Sequence, residues 1–159
     1  MPPDHSLDDP FDDAFAHPWA RAALEEVLGL HVFLEAWLGG TIADAPAMFA
    51  RLESALADSF TQVTPGGARL SRADVIGALR GAHGTRAGAG AFRITIREPE
   101  LLHLRPPLVV LGYVEEQGGA GAIVTHRRST ALFEALGEGS PDAHAGLRWL
   151  ALHETWIET

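Results

Sequence analysis

The first strong pattern in the chain is a helical one between Pro18 and Gly40. Apolar residues recur there every three or four positions, as they do along one face of an α-helix. The face consists of Leu24, Val27, Leu28, His31, Leu34, Glu35 and Leu38. Its two polar members, His31 and Glu35, are one helical turn apart and are therefore neighbours. Gly39 and Gly40 then predict the end of the helix.

Two shorter helices and a short strand are predicted next. Asp44 is placed to cap a second helix, because its side chain accepts hydrogen bonds from the free backbone amides of a first turn. The segment Ser59–Val63 favours a short strand. Ser71 and Asp74 have the spacing of a capping box, which predicts a third helix that ends near Gly84.

The pattern changes its period near Phe92, where apolar and polar residues begin to alternate. This alternation, together with the bounding Gly and Pro residues, predicts strands at Phe92–Glu98, Leu108–Gln117, Ile123–Phe133 and Arg148–Glu158. Helices followed by a run of strands are typical of an α+β domain rather than of repeated βαβ units.

The chain is acidic, and much of its charge lies near the beginning. It has 159 residues and a formal net charge of −9, and five aspartates fall within residues 1–17. That segment has little apolar surface to offset the entropy of ordering, so we expect a flexible acidic arm at 1–17 and one domain at 18–159. The negative charge disfavours nucleic acid as a partner, because it repels a phosphate backbone.

Composition also excludes several kinds of chemistry. All 12 basic residues are arginines and there is no cysteine, which removes lysine Schiff bases, thiolate nucleophiles and cysteine-type zinc sites. The histidines lack metal-ligand spacing, so no metal and no cofactor is expected. The sequence shows no membrane-length apolar run and no signal core, so we expect a cytoplasmic protein without a membrane partner. Arginine in place of lysine, with abundant alanine and glycine, indicates a bacterial gene.

Several segments carry a resemblance to a known family. They are Leu34–Gly40, Phe60–Gly67 with its Pro-Gly turn, Ser71–Ile76, Tyr113–Glu116, Arg127–Thr130 and Trp149–Trp156. In these segments the chain resembles the nuclear transport factor 2-like superfamily, and within it the SnoaL-like and related uncharacterised bacterial subfamilies. The resemblance extends from about Trp19 to the end of the sequence.

The resemblance implies a cone, in which a strongly curved antiparallel sheet wraps around about three N-terminal helices and leaves a cavity at its open end. The superfamily includes isomerases, cyclases, dehydratases, transport adaptors and association domains, so the fold does not decide the function. We expect a small-molecule-binding domain that takes an apolar or amphipathic ligand in the cone. The alternative is an isomerase, cyclase or dehydratase with acid–base residues in the same cavity, and whether the protein is an enzyme stays open.

Polar residues set into apolar segments mark the candidate site, because a buried polar group is costly unless it is paired. The predicted ligand-binding residues are Glu35, Trp37, Tyr113, Glu115, Arg127, Trp149 and His153. Of these, His153, Glu35 and Glu115 are the candidate acid–base residues. The placement assumes strict alternation along each strand, and one bulge would exchange His153 for Glu154 and Arg127 for Arg128.

Simpler interpretations compete with each assignment. A cross-strand ion pair with a structural role also explains Glu115 and Arg127, and we favour it over a catalytic pair. His153 would then be a hydrogen-bonded sheet residue, and the tryptophans would belong to the core or to an interface. The sheet face that the helices leave uncovered still carries large apolar residues, which predicts a homodimer formed through the sheet.

Overall fold

A computed structural model describes residues 13–88, 91–119, 123–137 and 146–158 of the chain. Its helices are α1 (Pro18–Gly39), α2 (Pro46–Ala55) and α3 (Arg72–Arg80). Its strands are β1 (Leu56–Val63), β2 (Arg69–Ser71), β3 (Arg93–Arg105), β4 (Leu108–Gly118), β5 (Thr125–Ala135) and β6 (Leu147–Trp156). The α+β class is confirmed, and no α-helix interrupts the described residues from β3 to β6.

The first helix begins and ends where its sequence predicts. Pro18 occupies the first turn, where its missing N–H removes no helical hydrogen bond, and the His17 side chain caps that turn. Gly40 ends α1 in the left-handed conformation, with φ at 71°. The backbone N–H of Gly84, in the segment after α3, donates to the carbonyl of Trp37 at 3.0 Å. This segment therefore holds the last turn of α1 in place.

The two shorter helices differ in how well their starts were predicted. The prediction that Asp44 caps α2 is wrong, because Ala45 is the N-cap and Pro46 opens the helix without a side-chain cap. Proline has the helical φ built into its ring, so the helix can start there without a capping side chain. The capping box before α3 is confirmed: the Asp74 N–H donates to Ser71 Oγ at 3.2 Å, and the Ser71 N–H donates to Asp74 Oδ2 at 2.9 Å.

The sheet has six strands in the order β2-β1-β6-β5-β4-β3. It is mixed rather than wholly antiparallel, because β1 runs parallel to β6 while the other neighbours are antiparallel. β3 is much longer than predicted and continues through Glu98, whose φ is 51°. The register against β4 shifts at this point, between Arg97 and Glu100, and again between Leu101 and His103. Such bulges break the alternation along the strand, which explains why the sequence pattern predicts an end at Glu98.

The helices pack against one face of the sheet and bury the core there. Trp37, Phe49, Phe133 and Trp149 are among its largest fully buried side chains. Phe15 is only 3% exposed and also belongs to this core. Phe15, within the predicted arm, therefore packs on the core, while residues 1–12 lie outside the described residues. No described helix is both long and apolar enough to span a membrane.

Candidate functional site

A cavity of about 250 Å³ lies between the helices and the sheet. Most of its wall is apolar and consists of Leu30, Leu34, Leu38, Leu52, Leu56, Phe60, Leu70, Val75, Ala78, Leu79, Ile94, Trp149 and Leu152. Its polar lining consists of His31, Gln62, Glu115, Gln117, Arg127 and Glu154. The cavity is thus amphipathic, with an apolar wall and a group of polar side chains that contact one another.

Strand register brings the polar side chains together. Glu115 on β4 lies opposite Arg127 on β5, and Glu154 on β6 lies opposite Ser129 on β5. Because side chains two positions apart share a face, Glu115, Arg127 and Glu154 all project toward the helices. Gln62 reaches the same place from β1, which pairs with the other edge of β6.

His31 and Glu115 form a buried ion pair. The His31 Nε2 atom lies 3.2 Å from Glu115 Oε2, and its Nδ1 atom lies 2.7 Å from the Val27 carbonyl oxygen. Both ring nitrogens face acceptors, an arrangement that suits the protonated imidazolium, in which both nitrogens donate. Burial alone would lower the pKa of His31, but the charge and hydrogen bond of Glu115 outweigh it and raise that pKa.

Glu115 is the complementary anion of this pair. Burial would raise the pKa of its carboxyl, but His31, Arg127 and a hydrogen bond from Gln117 together lower that pKa to about 2. The carboxylate is therefore ionised at neutral pH although the residue is only 4% exposed. With His31 protonated, the pair contributes no net charge to the cavity.

Glu154 differs in its environment from Glu115. Its Oε1 accepts a hydrogen bond from Gln62 Nε2 at 2.6 Å, and its Oε2 lies 3.4 Å from Arg127 Nη1. Burial, and then the negative charge of Glu115, raise the pKa of Glu154, and Arg127 offsets this only in part. The two carboxyl groups of one cavity therefore have pKa values shifted in opposite directions.

Behind the cavity wall a third buried carboxyl group, that of Glu26, fixes Trp149. The Trp149 indole N–H donates to Glu26 Oε1 at 3.0 Å. Arg51 binds the same carboxylate through both terminal nitrogens, at 3.0 and 2.9 Å. These contacts give Trp149 a defined orientation, so one ring lines the cavity while its polar edge is paired.

Three of the predicted site residues line the cavity, namely Glu115, Arg127 and Trp149. Tyr113 lies next to it, with its ring 5.6 Å from that of His31. The Tyr113 hydroxyl is buried and has no partner of standard hydrogen-bond geometry among the described residues. Burial raises the pKa of Tyr113 well above its usual value, although the nearby Ser129 hydroxyl offsets part of the rise.

Three other predicted residues are placed elsewhere. Glu35 accepts from the Ile94 backbone N–H at 2.8 Å and pairs with Arg93 at 3.3 Å, so it ties α1 to the start of β3. Trp37 is a core residue whose indole N–H donates to the Leu79 carbonyl at 2.7 Å. His153 is exposed on the opposite face of the sheet.

The prediction that His153 faces the cavity is wrong, because β6 contains a bulge. Leu132 on β5 pairs with Ala151, and the next residue, Phe133, pairs with Trp149. Leu150 is therefore an extra residue on β6, and it reverses which alternate positions face the helices. Trp149 and Glu154 share the cavity side, whereas the prediction had placed His153 there.

Four polar cavity residues were not among the predicted ligand-binding residues: His31, Gln62, Gln117 and Glu154. His31 had a signal, because it stands in the apolar face of α1, and Glu154 had one in the bulge alternative. Gln62 and Gln117 had none, since glutamines near strand ends are common on exposed surfaces. Among the described residues, no cluster of His, Asp and Glu side chains could hold a metal ion.

A curved mixed sheet packed on three helices, with a cavity between the two, is the nuclear transport factor 2-like fold. An NTF2-like protein of unknown function from Pseudomonas aeruginosa has 29% identity and a TM-score of 0.74, over 86% of this chain and 99% of that chain. A CaMKII hub from S. rosetta has 12% identity and a TM-score of 0.62, over 86% and 95%. A candidate ketosteroid isomerase from Shewanella frigidimarina has 15% identity and a TM-score of 0.59, over 84% and 94%.

These likenesses confirm the predicted superfamily and its α+β cone, and the last two show the fold alone. No protein-family model and no curated protein matches the chain. The SnoaL-like subfamily stays a prediction. Function must therefore be argued from the cavity itself.

Proposed function

We propose that the protein binds a small, largely apolar molecule in the cavity between the helices and the sheet. The observation that supports this most directly is the combination of a continuous apolar wall with a compact polar group at one place in it. Ligand sites are typically apolar clefts with a few convergent polar groups. A water molecule occupies roughly 30 Å³ of the liquid, so a cavity of about 250 Å³ has room for about eight waters or for a ligand on the order of ten non-hydrogen atoms.

Filling the cavity with a side chain tests the proposal. Ala78 lines the cavity from α3, and Ala73 lies on the same helix outside it. Ala78→Phe should abolish saturable binding of 1-octanol in calorimetric titration, whereas Ala73→Phe should leave it intact. Equal binding by both variants, or no saturable binding by the unaltered protein, would contradict the proposal.

A second candidate function is acid–base catalysis in the same cavity, which corresponds to the isomerase, cyclase or dehydratase alternative. The observation that favours it is the pair of carboxyl groups with a lowered pKa at Glu115 and a raised pKa at Glu154. Opposite shifts of this kind separate the roles of acid and base in many enzymes. His153 and Glu35 take no part, because neither lines the cavity.

This candidate is tested by proton exchange. If Glu154 transfers protons to a bound ligand, the protein should speed deuterium incorporation next to the carbonyl of 2-octanone in heavy water. Glu154→Gln should remove that acceleration, and Glu158→Gln, which alters the exposed residue after the strand, should not. An exchange rate equal to that in buffer without the protein would refute acid–base catalysis, and only the binding proposal would remain.

We also propose that the chain forms a homodimer through the outer face of the sheet. Leu102 is 46% exposed, and its side chain lies 3.2 Å from where a Cβ on Gly112 would be. A contiguous exposed apolar patch is typical of an interface, and Leu102 would lie at such a patch. Light scattering should give twice 17.0 kDa for the chain and the monomer mass for Leu102→Glu. A monomer mass for the unaltered chain at micromolar concentration would overturn this proposal.

A further inference from the structure

Arg127 is the polar residue of the cavity whose hydrogen-bonding capacity is least used. Among the described residues, its only hydrogen bond is the 3.4 Å contact from Nη1 to Glu154 Oε2. Its Nε is buried and has no hydrogen-bond partner there. A guanidinium group carries several N–H donors in a planar fork and no acceptor, so it needs an external acceptor to complete its bonding.

The position of Arg127 is fixed although its donors are not all used. Its Cζ atom lies 4.9 Å from the centroid of the Trp156 ring, with the guanidinium over the ring face. Stacking of this kind holds the plane of the fork and leaves its N–H edges available. Trp156 is 51% exposed, so the stacked Arg127 lies where the cavity approaches solvent.

The other charges of the cavity determine which acceptor suits Arg127. The titratable or charged lining residues in the described structure are His31 on α1, Glu115 on β4, Arg127 on β5 and Glu154 on β6. His31 and Glu115 neutralise each other, as their 3.2 Å contact shows. Glu154 contacts Arg127 through one oxygen at the long distance of 3.4 Å, and its other oxygen accepts from Gln62. The remaining donors of Arg127 are those that an anionic ligand can use, and a single guanidinium matches a single negative charge.

We propose that the ligand of this cavity is a small monocarboxylate with an apolar body. Its carboxylate accepts hydrogen bonds from the Arg127 fork, and its body lies along the leucine-rich wall. Paired N–H donors match the two oxygens of a carboxylate. A dianionic phosphate fits less well, because one arginine beside two carboxyl groups cannot neutralise it. The inference rests on the proposed binding function and names the class of ligand.

Three ligands of equal chain length test the inference: octanoate, 1-octanol and octylammonium, each titrated calorimetrically at pH 7. The structure predicts that octanoate binds at least tenfold tighter than 1-octanol, and that octylammonium binds more weakly than either. If none of the three binds, both the binding function and the inference fail. If 1-octanol binds as tightly as octanoate, the function stands and the inference is wrong. A preference for octylammonium would assign the site to a cation and also refute it.

Substitution of the arginine supplies the second arm. Arg127→Gln should reduce octanoate affinity to that of 1-octanol while leaving 1-octanol affinity unchanged. The matched control is Arg128→Gln, because Arg128 is the next residue, faces the other side of the sheet and pairs with Glu98 at 3.6 Å. If Arg127→Gln fails to fold, Arg127→Lys takes its place and should keep a reduced preference for the acid. An undiminished acid preference in either folded variant would overturn the assignment.

Discussion

Replacing His31 by leucine should lower the unfolding free energy, because it breaks the buried ion pair with Glu115. The change leaves the Glu115 carboxylate, which is only 4% exposed, without the cation 3.2 Å away. The Glu115 pKa falls from 4.5 to about 2 in the folded protein, and this corresponds to about 3 kcal/mol at roughly 1.4 kcal/mol per pKa unit. Burial opposes this shift, and Arg127 and Gln117 share it with His31. We therefore expect His31→Leu to cost on the order of 2 kcal/mol of unfolding free energy.

A double-mutant cycle isolates this interaction. Urea denaturation at pH 6 would be measured for the unaltered chain, His31→Leu, Glu115→Gln and the double variant. We expect a coupling energy of about 2 kcal/mol, because removing both partners leaves no unpaired buried charge. The control is the His126–Glu116 pair on the outer face, which is more exposed and should give under about 1 kcal/mol. A His31–Glu115 coupling no larger than the control value would refute the assignment of a buried ion pair.

Three further predictions follow from the fold. Because the pKa of His31 is raised, its contribution to stability is complete below pH 6.5 and is lost as pH rises through the folded-state pKa. Urea denaturation from pH 6 to 9 should show this loss of unfolding free energy. In His31→Leu, the part of the pH dependence that comes from His31 should be absent. Phe15→Ala should lower the unfolding free energy by about 3 kcal/mol, since Phe15 is 3% exposed in the core; a change below 1 kcal/mol would show that the segment before α1 does not dock. Gly40→Ala should destabilise the fold by about 1 kcal/mol or more in thermal melts, because Gly40 has φ at 71° and a Cβ there would lie 3.2 Å from the Gly84 Cα. The control is Gly39→Ala, whose added Cβ would meet nothing within 4 Å and which should be neutral or stabilising.

The elements of the fold could be predicted because their patterns are local. The bounds of α1 and the alternation in β5 follow the sequence pattern. The predicted face of α1 is only partly buried, since Val27 and His31 are buried whereas Leu28 is 44% exposed. The parallel pairing of β1 with β6 could not be found in this way, because it joins segments far apart in the sequence. The extension of β3 past Glu98 was also hidden, since the bulges there interrupt the alternation.

The candidate site was predictable only where a strand keeps its alternation. Glu115 and Arg127 lie in regular parts of β4 and β5, and both face the cavity. In β6 the extra residue Leu150 reverses the alternation, and Glu154 faces the cavity instead of His153. Such a bulge leaves no local mark in the sequence, because it depends on how the neighbouring strand pairs. Gln62 is brought to the site only by the pairing of β1 with β6.

The most direct test of the central claim is an NMR titration of the tryptophan indole N–H signals with 1-octanol. Trp149 lines the cavity, whereas Trp19 lies outside it on the first turn of α1. If the cavity binds a small apolar ligand, the Trp149 signal should move to a saturating limit while the Trp19 signal stays in place. The movement should disappear in Ala78→Phe. A Trp149 signal that does not move, or that moves equally in Ala78→Phe, would contradict the claim that this cavity is a binding site.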